Sequence, residues 1–293
     1  MAYGRTWPAL CYGISGSPIR LMVRAATKTM NLRLITSLTL CLSLAAGVSA
    51  QTAAPAAPAA APAVTTTVTG AVVSQYMFRG VRLGGASFQP AVEVGAGNLA
   101  VGLWSNFPMK DKVEGQSDPE LDVYGSYKIV FNDTFNLQPG FTWYNYPQAE
   151  ESNGFYRTTF EPSLAANVTL AGITFTPKVY YDLVLDGPTY ELNAFYALPL
   201  KAIGSELDFT ASAGTFKWTD AWELTQPKMK NWGDYWLVGV AMPYQVTKNS
   251  KLTVGVAYTK GSGNYLKQGT DPKVENSAAV GRGVVTVAYA MTF

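Results

Sequence analysis

The chain has 293 residues, enough for one large all-β domain or two small ones. Only 14% of its residues are charged, against roughly 25% in an average soluble domain, while 48% are hydrophobic and 13% aromatic. There is no histidine, and both cysteines, Cys11 and Cys41, lie near the N-terminus. Triads built on Ser-His-Asp or Cys-His are therefore excluded, as are soft-metal sites of the usual ligand set.

No apolar run reaches the roughly 18 residues of a spanning helix. The N-terminal stretch reads as an address. Met30-Asn31-Leu32-Arg33 precedes an apolar core from Leu34 to Ala46, and Val48 and Ala50 are the small residues a signal peptidase requires. Residues 1–50 are thus expected to be an extension plus signal peptide cut after Ala50, with either Met1 or Met30 as the start. After that cut the chain has no cysteine, and 17 basic residues face 20 acidic ones, a net charge of −3. Nothing in that balance points to nucleic acid. Residues 51–64 form an Ala/Pro tract that reads as a spacer.

From Thr65 onward, side chains alternate between apolar and polar with period two, the signature of half-buried strands. Twelve strands are expected, near 67–79, 88–96, 98–107, 119–131, 134–146, 155–169, 173–185, 189–200, 206–216, 234–246, 251–260 and 279–293. The last is the clearest. Val285, Val287, Tyr289, Met291 and Phe293 fall on one face, and small or polar residues fall on the other. Links between strands alternate long and short, as at 108–118 against Gly97 and at 147–154 against Asn132-Asp133. Only the link at 186–188 is short where a long one is due. This asymmetry is that of a transmembrane, antiparallel, up-and-down β-barrel spanning 65–293, with long extracellular loops and tight periplasmic turns. Pro90, Pro139, Pro162 and Pro177 fall inside strands, where each removes a ladder donor. Bulges or bends are expected there, and a barrel of 10 or 14 strands would follow if they broke the strands.

The polar faces suggest the function. Glu93, Glu120, Asp122, Glu161, Asp182, Glu191, Glu206 and Asp208 are expected to face inward, with Arg79, Lys128, Arg157 and Lys178. Charges on so many inner faces imply water inside, because a dry unpaired charge costs several kcal/mol. Trp104 and Asn106 also point inward and would narrow the lumen. Arg79 is expected at the outer end of the first strand, paired with Glu93. The reading is a narrow diffusion channel for small solutes or ions, weakly cation-preferring from its acidic excess. The alternative is a closed structural or adhesive barrel acting through its outer loops.

No cofactor or metal is expected. Asp118, Glu120 and Asp122 are spaced for one strand face and could do acid–base work, but they read as lumen wall. In the segment 217–233, Trp218, Trp222 and Trp232 with Lys228 and Lys230 could form a lid or a sugar-binding patch. Aromatics at strand ends read as girdles at the two membrane faces. Tyr76, Phe107, Tyr144, Tyr146, Tyr156, Tyr181, Tyr190, Trp218, Trp232, Tyr235 and Tyr258 form the outer one. Tyr127, Phe135, Tyr196, Tyr244, Tyr289 and Phe293 form the inner one. The expected partners are outer-membrane lipids and lipopolysaccharide, small solutes, and the barrel-assembly machinery acting on the terminal Phe293.

Four motifs add a family resemblance. They are Ser74-Gln75-Tyr76-Met77-Phe78-Arg79-Gly80, Pro90-Ala91, Gly102-Leu103-Trp104-Ser105-Asn106 and Glu120-Leu121-Asp122-Val123-Tyr124. Together they resemble the TorF-type porin family of Gram-negative bacteria, the Gcw_chp proteins. The chain departs from that pattern at Val81-Arg82-Leu83, where a polar turn is usual, and it lacks the usual Tyr before the Gly-x-Trp segment. The resemblance implies an outer-membrane location and a pore, and names no substrate.

Overall fold

The computed structural model describes residues 64–111, 119–148, 157–217, 232–262 and 280–293. Fifteen strands are present among them. In chain order they are β1 Val64–Val73, β2 Tyr76–Phe78, β3 Val81–Gly84, β4 Ser87–Ala96, β5 Leu99–Pro108, β6 Glu120–Tyr127, β7 Ile129–Asn132 and β8 Phe135–Asn145. They continue with β9 Thr158–Leu170, β10 Ile173–Asp182, β11 Gly187–Leu200, β12 Ser205–Lys217, β13 Trp232–Thr247, β14 Ser250–Ser262 and β15 Arg282–Thr292.

Thirteen of these form one antiparallel sheet that closes on itself. β1 pairs with both β4 and β15, and β8 pairs with β9 on one side and with β6 and β7 on the other. Since β6 and β7 share one place in the order, the barrel has twelve strands, as the sequence pattern predicts. Closure leaves no free sheet edge, so the wall pairs its backbone internally and without water except where prolines interrupt it. The two ends of the barrel meet where Thr66 and Phe293 exchange backbone bonds, at 3.1 and 2.9 Å.

The prolines act otherwise than expected. Pro90 pairs with Gly70 on β1, but the β4–β5 ladder skips from Phe88↔Phe107 to Ala91↔Trp104. Pro177 opens the β9–β10 ladder between Ala165↔Lys178 and Val168↔Phe175, and pairing beyond Ser163 stops where Pro162 begins. Pro139 lies against the break between β6 and β7. At Pro90, Pro139 and Pro177 the pairing resumes in the same register without a bulge, and at Pro162 it ends. A missing N–H opens the ladder on one side, while the ladder on the other side stays paired.

The alternation predicts the outward face. Val92, Val94, Val101, Leu103, Trp143, Leu192, Val238, Val254, Val256, Val285 and Val287 are all exposed, while Thr142, Ser163, Ser212, Thr253 and Thr286 are buried. An apolar exterior around a sealed polar interior is stable only in lipid. Among the described residues no helix is long and apolar enough to cross a membrane, and the crossing is made by strands. The chain is a bacterial outer-membrane barrel.

Candidate pore constriction

The first long link does not extend outward. After Val73 the chain leaves the wall, held at its exit by Ser74 N donating to Val285 O at 2.9 Å and Val285 N donating to Ser74 Oγ at 2.8 Å. It then forms the β2–β3 hairpin. Phe78 pairs with Val81 across a two-residue turn in which Arg79 and Gly80 both have positive φ, 48° and 77°. That is the backbone of the tight hairpin turn whose twist matches its strands. The chain returns to the wall at Gly85, whose N–H donates to the Lys110 and Asp111 carbonyls.

The hairpin lies inside the barrel. Its tip touches walls on different sides of the lumen. Phe78 packs edge-on against Tyr144 of β8, with ring centroids 6.1 Å apart. Arg79 reaches β9, donating from one guanidinium nitrogen to both oxygens of Glu161, at 2.8 and 3.0 Å. The guanidinium lies 4.7 Å from the Phe78 ring and 4.8 Å from the Tyr180 ring of β10. A Cβ on Gly80 would come within 2.5 Å of the Gly261 nitrogen of β14. Only glycine fits there, by space and by φ.

Around the hairpin, tyrosines and glutamates are paired. Glu120 accepts from Tyr76 at 2.8 Å and from Tyr146 at 3.1 Å. Glu161 also accepts from Tyr144 at 3.0 Å. Glu191 accepts from Tyr180 at 2.7 Å, Tyr235 at 2.5 Å and Asn193 at 2.7 Å. Glu161 is 1% exposed and Tyr180 0%. A carboxylate tolerates such burial only when its lone pairs are met by donors of this kind. Lys178 sits opposite Glu191 in the β10–β11 ladder, on the same inward face. A cavity of about 20 Å³ remains beside the hairpin base, lined by Val73, Gln75, Tyr76, Met77, Gln89, Trp104, Val284 and Thr286.

Other residues singled out in the sequence take varied places. Trp104 is buried and lies 5.7 Å from Tyr76, ring to ring. Asn106 accepts from Gln89 at 2.9 Å. Asp122 is buried on the inward face beside Glu120. Asp182 is buried at the end of β10, where its Oδ1 accepts from Val184 N and Leu185 N at 2.8 Å and caps the outer turn. Arg157 lies exposed just before β9 and its carbonyl accepts from Tyr146 N at 2.8 Å. Toward the short-turn end, Glu93 is exposed and Lys128 half-buried on the inward face, and Tyr124 donates to Glu93 at 3.0 Å. Glu206 is half-buried there, and Asp208 is buried with its Oδ1 lacking a hydrogen-bond partner. Neutral groups line the wall between them. Asn167 donates to Asn136, Thr176 to Asn167, and Gln138 to Ser126, each at 2.8 Å.

Three expectations are corrected. Arg79 does not end the first strand and does not pair with Glu93. Strand β1 stops at Val73, and the tight turn carries Arg79 to Glu161. Tyr76, Tyr144, Tyr146 and Tyr235 belong to the inner network and not to the outer girdle, because each donates its hydroxyl to an inward glutamate. Tyr181 donates to Asp186 in the adjoining turn at 2.5 Å. Phe107, Tyr190, Trp232 and Tyr258 do stand exposed at the long-loop end, as Tyr127, Tyr196, Tyr244, Tyr289 and Phe293 do at the other. Lys251 and Arg282 also fall on the inward face and escaped the sequence reading. Their strand parity with Thr253 and Thr286 was the available signal. Asp118, Tyr156, Trp218, Trp222, Lys228 and Lys230 lie outside the described residues, as do the signal peptide and most of the spacer.

A sealed barrel with a greasy exterior and a charged interior crossed by a hairpin defines an outer-membrane protein of porin-like architecture. The chain belongs to the family described as "Bacterial protein of unknown function (Gcw_chp)", which matches residues 56–266. Among solved structures it is similar to the KdgM porin at 14% identity, covering 78% of this chain and 99% of that one with a TM-score of 0.48. It is similar to the NanC porin at 12%, covering 77% and 98% with a TM-score of 0.47. An outer membrane channel from Pseudomonas putida F1 is similar at 9%, covering 80% and 97% with a TM-score of 0.43. No curated protein sequence matches the chain.

Proposed function

We propose that this protein is a channel for passive diffusion of small solutes or ions, with no catalytic step and a weak preference for cations. One observation carries the reading. The inward face stays polar and ionisable along the barrel, and at the short-turn end Glu93 remains exposed to water inside the wall, with Lys128 only half-buried. A barrel serving only as a scaffold gains nothing from a wet interior, since apolar filling of similar volume is as stable or more so. The preference for cations comes from the balance of inward charge. Glu93, Glu120, Asp122, Glu161, Asp182, Glu191, Glu206 and Asp208 outnumber Arg79, Lys128, Lys178, Lys251 and Arg282. Rings of carboxylates raise the local concentration of counter-ions and disfavour anions.

A second reading is favoured by the burial around the hairpin. Glu161, Tyr180, Phe216, Thr189 and Ser163 are almost fully inaccessible, so the outer third is packed. A permanently packed lumen would make this a structural or adhesive barrel working through its outer loops. Single-channel recording from purified protein in a planar bilayer separates the two. The channel reading expects discrete current steps and, under a KCl gradient, a reversal potential of the sign that marks potassium as more permeant than chloride. Silence at every voltage favours the structural reading, and chloride preference overturns the charge assignment.

A further inference from the structure

The tip of the hairpin is attached to the wall through a charged side chain. Its tip is held by the ion pair to Glu161, the Tyr180 ring face, the Phe78–Tyr144 ring contact and a close approach to Gly261. The wall site that receives Arg79 is made by Glu161, Tyr144 and Tyr180. Glu161 presents both oxygens to the guanidinium, and the Tyr180 ring stacks on it. A guanidinium is therefore already bound there, and it is attached to a loop. Free guanidinium or ammonium groups satisfy the same partners, because planar donors and a positive charge are what a carboxylate beside an aromatic face recognises.

We propose that the hairpin is the gate of the channel, and that Arg79 is a tethered cation which a guanidinium-bearing or ammonium-bearing solute replaces at Glu161. The proposal rests on the channel reading and adds the solute class and the trigger. With the hairpin latched, the site is full. With it released, Glu161 faces the lumen without its counter-cation, and Glu120 loses the hydroxyl of Tyr76. A solute cation binds only the released state, so it shifts the population toward opening by its differential affinity alone. An uncharged solute of the same shape has no such difference to exploit and shifts nothing.

The test compares L-arginine with citrulline, which replaces the guanidinium with a neutral urea. Full-length protein is refolded, and folding is checked by heat-modifiable gel migration. Two readouts follow: bilayer conductance, and deuterium uptake by the amides of residues 76–84. Added arginine is expected to raise wild-type conductance several-fold and to raise uptake in the hairpin, with citrulline doing neither. Arg79→Gln and Glu161→Gln are expected to conduct at the raised level without arginine and to gain nothing from it. If the wild type conducts but arginine changes neither current nor uptake, or citrulline matches it, the gate proposal fails and the channel reading stands. If arginine raises hairpin uptake and no current appears in any variant, the displaceable latch stands and the channel reading fails.

Discussion

At the scale of single residues, the interior is organised by phenol donors. A buried glutamate needs two or three donors, and Tyr76, Tyr146, Tyr144, Tyr180 and Tyr235 supply most of them here. Hydroxyl donors on stiff aromatic rings satisfy a carboxylate without adding charge, and the rings themselves fill volume. Removing one such donor tests the network. Tyr235→Phe keeps the ring and deletes the bond to Glu191. A hydrogen bond to a charged group is worth about 1.5–3 kcal/mol, and the variant is expected to lose about that much in urea unfolding of the refolded barrel. A loss near zero would mean that water replaces the hydroxyl. The same residues show how sequence reading goes astray. Tyr235 and Trp236 are adjacent aromatics at one strand end, yet Tyr235 is buried and Trp236 is exposed. Its place at a strand end marks Tyr235 as girdle, and only strand parity shows that Trp236 is the one that faces out.

At the scale of elements, the hairpin is the feature the alternation pattern missed. Residues 67–79 read as one strand because Tyr76-Met77-Phe78 continues the apolar character of β1. The structure ends β1 at Val73 and begins a new, three-residue strand at Tyr76. A break of two residues at Ser74-Gln75 is too short to interrupt a period-two signal. What the pattern did carry was the turn itself, since Gly80 is where a glycine is required. Gly80→Ala is expected to displace the hairpin tip, because its Cβ has no room against Gly261 and its φ is unfavourable. Hydrogen exchange at residues 76–84 should then rise while protection of the wall strands is unchanged. Unaltered exchange in the hairpin would sink the close-approach argument. The motifs behind the family resemblance meet at this element. Tyr76, Trp104 and Glu120 come from three separate stretches, and the last two both meet Tyr76 inside the barrel.

At the scale of the whole molecule, the bilayer sets the terms. The outward face faces hydrocarbon, so a charge there costs free energy according to its depth. Val287 lies near the middle of β15, between Val72 and Val254, and is exposed. Val287→Arg is expected to cost about 2–4 kcal/mol, the range for a basic residue near the bilayer midplane. Folding titrations into lipid vesicles measure this directly, and a cost under about 1 kcal/mol would place Val287 at an interface instead. The inward neighbour Thr286 offers the contrast, since its face already carries charge elsewhere around the wall.

The sequence by itself determined the closed barrel, its twelve strands and which face of each meets lipid. Period-two alternation is a local property, and each strand writes it independently of the others. The tertiary structure alone decided where the hairpin goes and which charges meet. Arg79 and Glu161 are far apart along the chain, and nothing local distinguishes a loop that turns out to solvent from one that turns into the lumen. Pairing across a cylinder depends on its circumference and register. Those are properties of the closed sheet, not of any segment within it.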